Sequence, residues 1–496
     1  MQRSGISETR LTAEPLRFKQ LFLTILLSPW RRLLAGSNSL RFLHLIIGYI
    51  PMCGKRTASK QPKKLVELHK PVLSLDPMDD SKVVGYSWVV FTVVLCAQST
   101  ALGLAMTCIP PFLTTIAKEM NLTSTQIGTA WGMIGLGALL FSVLGGLISD
   151  RFGVRWTGFS GLLLLASGGT MRGLARDYPE FIAAMFLFGA AMGLTRPNFP
   201  RTLSQWFPHN RLGMVNGLSA GGSALGAALS MAFSVSTIGP AVGGWRNITI
   251  ILGGLTFLLA VAWVFLVRER ILGERPAPRL STVIKGFGLV LRSRTVWMLS
   301  IAAFLLFGHS YAWSSHFPGF FEVKYGMTSA MAGQIVSITL FSGVFAGIFG
   351  PTLSDRIGSR KPAILIACVA GGLCNMLQGS FLGPVLTIIL LIMPFGVGTI
   401  APLLLTIPFE LKELNSSVAG AAIGMILTFQ NLGTFIYPIL SGKLIDLFTP
   451  NYYPYFGAQM MAFALTFLLV WRLVPETGPG AAKPAPRRAP VRAAAN

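Results

Sequence analysis

The sequence predicts an all-α membrane protein of twelve transmembrane helices arranged as two pseudo-symmetric six-helix bundles, and three observations carry that prediction. Hydrophobic residues fill 52% of the 496 positions and charged residues only 12%, about half the charged share of a water-soluble domain. Apolar runs of roughly 20 residues, enough for a helix to cross about 30 Å of hydrocarbon, recur from about residue 84 to residue 474. The second half of that region repeats the first: GGLISDRFGVRW at 145–156 matches GPTLSDRIGSRK at 350–361, an offset of 355 − 150 = 205. Backbone groups in hydrocarbon must be satisfied within the segment or within a closed barrel, and these runs lack the alternation of barrel strands.

Along the chain, residues 1–80 come first. Their apolar stretches at 20–29 and 42–51 are too short to span and are interrupted by Pro29, Arg31, Arg32 and Arg41, so they read as a cytoplasmic tail, interfacial or disordered. No single apolar core precedes a small-residue cleavage site, which disfavours a signal peptide. MDDSKVVGYSW from Met78 offers a second translation start directly before the first span. The N-terminal bundle, 81–267, places spans at 84–112, 125–148, 155–174, 180–203, 212–236 and 247–267. A cytoplasmic linker, 268–295, carries Pro276 and Pro278. The C-terminal bundle, 296–474, has spans at 296–320, 328–352, 362–381, 384–408, 416–441 and 455–473, and 475–496 form a disordered basic tail.

The repeat is detailed. The same offset pairs Leu122-Thr123-Ser124 with Met327-Thr328-Ser329, Gly128 with Gly333, Gly193 with Gly398 and Pro197 with Pro402. It then slips by two, so that Gly213, Gly217 and Gly226 match Gly420, Gly424 and Gly433, with 420 − 213 = 207. Duplicated halves of this kind commonly rock about a site at mid-membrane. The fifth-span glycines, Gly217, Gly221, Gly222 and Gly226, and Gly420 and Gly424 in the eleventh span, have the small-residue spacing of closely approaching helices.

The net charge of +23 does not gather on one face. Arg151, Arg155, Arg201, Arg211, Arg268 to Arg294, Arg356, Arg360 and Lys361 fall in every second connection, whereas 118–124 and 378–384 are short and poor in cations. That bias argues against a nucleic-acid partner and places both termini and the linker on the cytoplasmic side of the cell inner (plasma) membrane. Five cysteines show no metal-ligand spacing, and no Walker A loop, zinc-binding His/Glu pair or GxSxG elbow occurs. Neither enzymatic chemistry nor a cofactor nor a metal site is expected.

The twice-occurring SDRxGxR resembles the loop signature of the major facilitator superfamily, and the resemblance covers about 84–474. It implies a secondary carrier working by alternating access, with a cavity lined by spans one, four, seven and ten. It also implies gating contacts at Asp150, Arg151, Gly153, Arg155, Asp355, Arg356, Gly358 and Arg360. Physically, the carboxylates can receive N–H groups of a helix start or pair with arginine, and the glycines permit a tight turn; merely fixing that turn is the alternative role. FGAAMGLTRPNFPRTLSQWFPHNR resembles the fourth-span region of the anion:cation symporters and of the nitrate and cyanate porters, with Thr195 where the symporters carry an acid. The drug antiporters' fourth-span arginine falls on Met185, and Gly239 to Gly244 resembles the ending of the antiporter motif, with Val235 where that motif has glycine.

Ionisable residues inside the spans are few. Arg196 lies within the fourth span beside Asn198, its backbone loosened by Pro197 and Pro200, and its repeat partner is Ala401. The fold therefore does not demand a guanidinium there, and its cost points to a substrate anion, an inter-helix ion pair or snorkelling as alternatives, the anion being favoured. Arg172 and Arg201 sit nearer span ends and are expected to reach the interface. In span seven, FGHSYAWSSHFPGFFEVKYG, we expect His309, Tyr311 and Trp313 to form an aromatic pocket wall and His316 to pack near the outer interface. Gln430 and Asn431 in span eleven are further candidate substrate contacts. Glu322 and Glu410 stand near span ends, so no carboxylate marks mid-membrane, and a proton and a sodium ion both stay open as coupling ion. The expected function is transport of a small polar solute, favoured as an organic or inorganic anion such as a monocarboxylate, by a monomer in the lipid bilayer. The alternatives are a proton-coupled antiporter exporting hydrophobic compounds and a membrane solute sensor.

Overall fold

The computed structural model describes residues 80–270, 288–411, 414 and 416–478, without the side chains of 80–84, 209, 210, 416 and 417. The predicted tail before residue 80, most of the linker and the tail beyond 478 lie outside the described residues. Among the described residues every regular element is helical. The membrane-length helices are α1 (Gly85–Met120), α2 and α3 (together Ser124–Leu174), α4 (Tyr178–Trp206), α5 (Arg211–Val242), α6 (Trp245–Leu266), α7 (Arg294–Tyr325), α8 (Ser329–Ile357), α9 (Arg360–Leu377), α10 (Gly383–Glu410), α11 (Val418–Phe448) and α12 (Tyr453–Leu473).

Ser124–Leu174 runs for 51 residues, about 77 Å at 1.5 Å per residue and far longer than one bilayer crossing. Gly153 divides it: φ 78° and ψ 169° are not helical, and only glycine takes them without a Cβ clash. Residues 124–152 are thus α2 and 154–174 are α3, which makes the twelve spans the sequence predicts. At the repeat-equivalent position Gly358 also has positive φ, 76°, and there it ends α8 outright.

The repeat extends to the caps. Asn121 (φ 52°) and Gly326 (φ 63°), 205 apart, terminate α1 and α7 in the left-handed conformation, the usual helix stop. Thr123 and Thr328 then cap α2 and α8, each hydroxyl receiving an N–H three residues on, from Gln126 at 3.2 Å and Met331 at 3.3 Å.

α1 departs from regularity. A π-helical segment over Gln98–Leu104 precedes Pro110 and Pro111, and the carbonyls this loosens are taken by side chains. Thr107 donates to Gly103 O and Ser230 to Leu104 O, each at 2.9 Å, and Arg172 donates to Ala105 O at 2.7 Å. Arg172 consequently corrects its sequence reading: it is fully buried inside the N-terminal half, its guanidinium 4.0 Å from the Phe188 ring centre, with Nε and Nη1 unpartnered.

Each half has its own apolar core, and small residues set the closest approaches. α5 meets α1 at Gly226, where a Cβ would lie 2.5 Å from Ser99 O. Gly217, Gly221, Gly420 and Gly424 have nothing within 4 Å, so the close contacts expected at those four glycines are absent here. The halves meet along α2 and α11: a Cβ on Gly132 would stand 2.5 Å from Phe435 O, and Gly128 abuts the Pro438 carbonyl. α5 and α8 form the second seam, at Met231 O and Gly333. Cys96, Cys108, Cys368 and Cys374 are free thiols.

Candidate functional site

Residues 150–155 and 355–360 define one end of the bundle, the motif end. There each half keeps its charges to itself. Asp150 pairs with Arg201 across α2 and α4, while Arg360, only 8% exposed, bridges Asp355 and Glu410. The asymmetry follows from two substitutions between repeats: Arg201 corresponds to Thr406, since 406 − 201 = 205. Glu410 corresponds to Gln205, since 410 − 205 = 205, so Arg155, the counterpart of Arg360, finds no carboxylate and donates to Val264 O at 2.7 Å. Arg151 and Arg356 are exposed.

Two acids that sequence inspection missed complete this end. The Val154 N–H donates to Glu269 at 3.2 Å. Ser359 Oγ and the N–H groups of Arg360 and Lys361 donate to Glu476 at 2.7, 3.1 and 3.2 Å. Because 476 − 269 = 207, these are repeat partners. In each half the carboxylate just past the last helix caps the start of the third helix, where the helix dipole favours it.

At the opposite, far end the halves are joined. Asp446, near the end of α11, receives Ser124 N at 2.9 Å, Thr125 N at 2.8 Å and Thr125 Oγ1 at 2.6 Å from the start of α2. The first four N–H groups of a helix lack internal partners. Here Thr123 and Gln126 satisfy one another in a capping box, and Asp446, from the other half, supplies the remaining acceptors. Thr114 of α1 donates to Glu322 of α7 at 2.9 Å nearby.

Between the two ends, the expected substrate contacts separate by helix face. Tyr311 turns toward the N-terminal half, its ring 6.1 Å from that of Trp131 on α2, and it packs on that half's core. Arg196 is exposed, and its guanidinium makes no hydrogen bond or ion pair with another described residue. Gln430 and Asn431 are half-buried on α11, one turn from Thr434, which abuts Gly135 of α2. Trp131, which sequence reading overlooked, is buried with its indole N–H unpartnered.

Three expected contacts lie elsewhere. His309 is buried in the C-terminal half, where Nδ1 hydrogen-bonds Gln459 and the ring meets Phe463 edge-on at 5.1 Å. Trp313 donates to Gln378 at 2.9 Å and stacks on Phe317. Residues four apart share a helix face while a residue midway between them does not, so the wall predicted from His309, Tyr311 and Trp313 is split, with Tyr311 alone facing the other half. Asn198 accepts from Ser149 and donates to Val154 O, both at 2.9 Å, which commits its amide to tying α2, α3 and α4 together.

A family model described as the Major Facilitator Superfamily matches residues 95–422. Among curated proteins, the chain is 27% identical over 382 residues to the uncharacterized transporter YycB of Bacillus subtilis, covering 75% of this chain and 89% of that one. It is 25% identical to the hexuronate transporter of Escherichia coli K12 (79% and 95% covered), and 22% identical to the probable sulfoacetate transporter SauU of Cupriavidus necator (67% and 81%). Among solved structures it shares the fold of an inward-facing, occupied bacterial homolog of the human lysosomal transporter Spinster, with TM-score 0.64, 14% identity and 78% and 94% of the two chains covered. With this match over most of the duplicated region and twelve spans in two equivalent halves, the chain belongs to the Major Facilitator Superfamily and is a multi-pass membrane transporter, not an enzyme.

Proposed function

We propose that the chain carries a small organic anion, a carboxylate or sulfonate, by alternating access, with Arg196 as the anchor for the anionic group. The carrying observation is the guanidinium itself, a charge inside α4 at the end of its Tyr178–Thr195 segment, with which no acid among the described residues pairs. A charged side chain at the bilayer centre costs roughly 2.5–3.5 kcal/mol on insertion scales and is retained where it meets water, a partner or a ligand. Tyr311, Gln430 and Asn431 offer hydrogen-bonding groups from the other half, so closure of the halves would wrap a solute with contacts from both. Relatives named for hexuronate, sulfoacetate and nitrite support an anion.

The basic motif end faces the cytoplasm in this proposal. With the far end joined and the motif-end ion pairs held within each half, the protein stands in its inward-open form. Uptake of radiolabelled D-glucuronate and sulfoacetate into vesicles holding the purified protein tests the reading. Saturable uptake lowered about tenfold or more by Arg196→Ala supports it, and equal uptake by protein-free vesicles overturns it.

A further inference from the structure

At the outer seam a crevice of about 90 Å³ opens between the halves, room for a few water molecules. α1 and α2 line it with Thr114, Ser124 and Ile127, α7 with Ser315 and His316, and α11 with Ile445. His316 is the titratable base among these. Its Nε2 stands 3.1 Å from Pro438 O, and since a carbonyl only accepts, Nε2 carries the hydrogen and the neutral ring keeps a lone pair on Nδ1. Nδ1 makes no hydrogen bond with another described residue. The same Pro438 carbonyl is the surface on which Gly128 of the other half packs, so the imidazole holds a group of the seam itself.

The charged and titratable surroundings are few. Asp446 on α11 follows Ile445 and receives the Ser124 N–H, and both Ile445 and Ser124 stand in the crevice wall with His316, while the Tyr455 ring on α12 meets His316 edge-on at 6.2 Å. Tyr452 lines the crevice, Glu322 on α7 is held by Thr114, and α1 and α2 contribute no charge to its wall. Asp446 is also the acceptor that fastens the start of α2.

We infer that His316 is the site of the coupling proton: a proton entering from outside binds Nδ1, and the imidazolium then competes with the α2 N–H groups for Asp446. The transfer is from water to imidazole and back, with no bond made elsewhere. Proton occupancy and the outer seam are thereby linked, and the linkage is reciprocal. This deepens the transport reading, on which its physiological role rests, while its readout needs no substrate.

The test uses full-length protein in vesicles, its five native cysteines replaced by serine and spin labels placed at Arg176→Cys and Asn451→Cys, in the outer loops after α3 and α11. Outer-seam distances are measured by electron spin resonance at about pH 8 and about pH 5.5, either side of the ordinary histidine range. The expected result is an outward-open population that rises on the order of tenfold at the lower pH, a rise that His316→Gln abolishes and His309→Gln keeps. A pH response retained in His316→Gln, a flat response in the parent protein, or a shift driven by sodium at fixed pH overturns the inference. Loss of the response in Glu322→Gln with its retention in His316→Gln would move the site to the carboxylate and overturn it equally. Failure of D-glucuronate uptake with the pH response intact would count against the substrate class and leave the proton site standing.

Discussion

Arg196→Ala separates binding from folding because the guanidinium has no partner among the described residues. In the loaded transporter the substitution removes a hydrogen bond between charged groups, worth about 1.5–3 kcal/mol. At 1.36 kcal/mol per factor of ten that is about a 10- to 150-fold loss of uptake efficiency. Breaking a buried ion pair would in addition cost about 3–5 kcal/mol of stability. Arg196 breaks none, so the change in folded stability should stay below about 1 kcal/mol. Arg196→Lys keeps the charge and loses the two-pronged geometry, and should fall between Ala and the parent. The assay is initial-rate D-glucuronate uptake across a concentration series, with thermal unfolding of the same preparations. Uptake of Arg196→Ala within twofold of the parent would refute the anchor. A melting temperature lowered as far as a lost ion pair requires would show that Arg196 serves the fold.

At the motif end, Glu410→Gln should be far more damaging to stability than Asp150→Asn. It leaves Arg360, 8% exposed, without its main partner and should cost about 3–5 kcal/mol, whereas the Arg201–Asp150 pair is 37% and 57% exposed and should cost under about 1 kcal/mol; thermal unfolding of both variants checks the order. Gly132→Val puts methyl groups into the α11 backbone at Phe435, an overpacking cost of about 1–3 kcal/mol borne only by the outer-closed form. It should raise labelling of Ser315→Cys by a membrane-impermeant maleimide from outside and slow uptake about tenfold or more.

Much of this architecture is legible in the sequence because a duplicated chain reports on itself. The 205-residue offset aligns Asn121 with Gly326, Thr123 with Thr328 and Gly153 with Gly358, and each pair does the same backbone work in both halves. The slipped offset likewise pairs Glu269 with Glu476, although neither drew notice, because a carboxylate outside a span looks like ordinary solvated charge. Helix rotation was not legible. The spacing shows that His309 and Trp313 share a face, but which face turns toward the other half depends on Gln378, just past the end of α9, and Gln459 of α12, which hold them. Asn198, beside Arg196, reads from the sequence as a site residue for the same reason. The outer latch escaped notice because its members, Ser124 and Asp446, lie 322 positions apart and only Ser124 has a counterpart in the repeat: the position matching Asp446 is Gly239, with 446 − 239 = 207.

Alternating access around one chamber requires the outer seam to part in every cycle. A Cβ on Gly442 would touch the Ser124 backbone, so Ser124→Cys with Gly442→Cys in the cysteine-free protein can be joined by oxidation. The account predicts that counterflow of D-glucuronate stops when the pair is bonded and resumes on reduction. Uptake unimpaired by the bond, or none from the reduced protein, would contradict it.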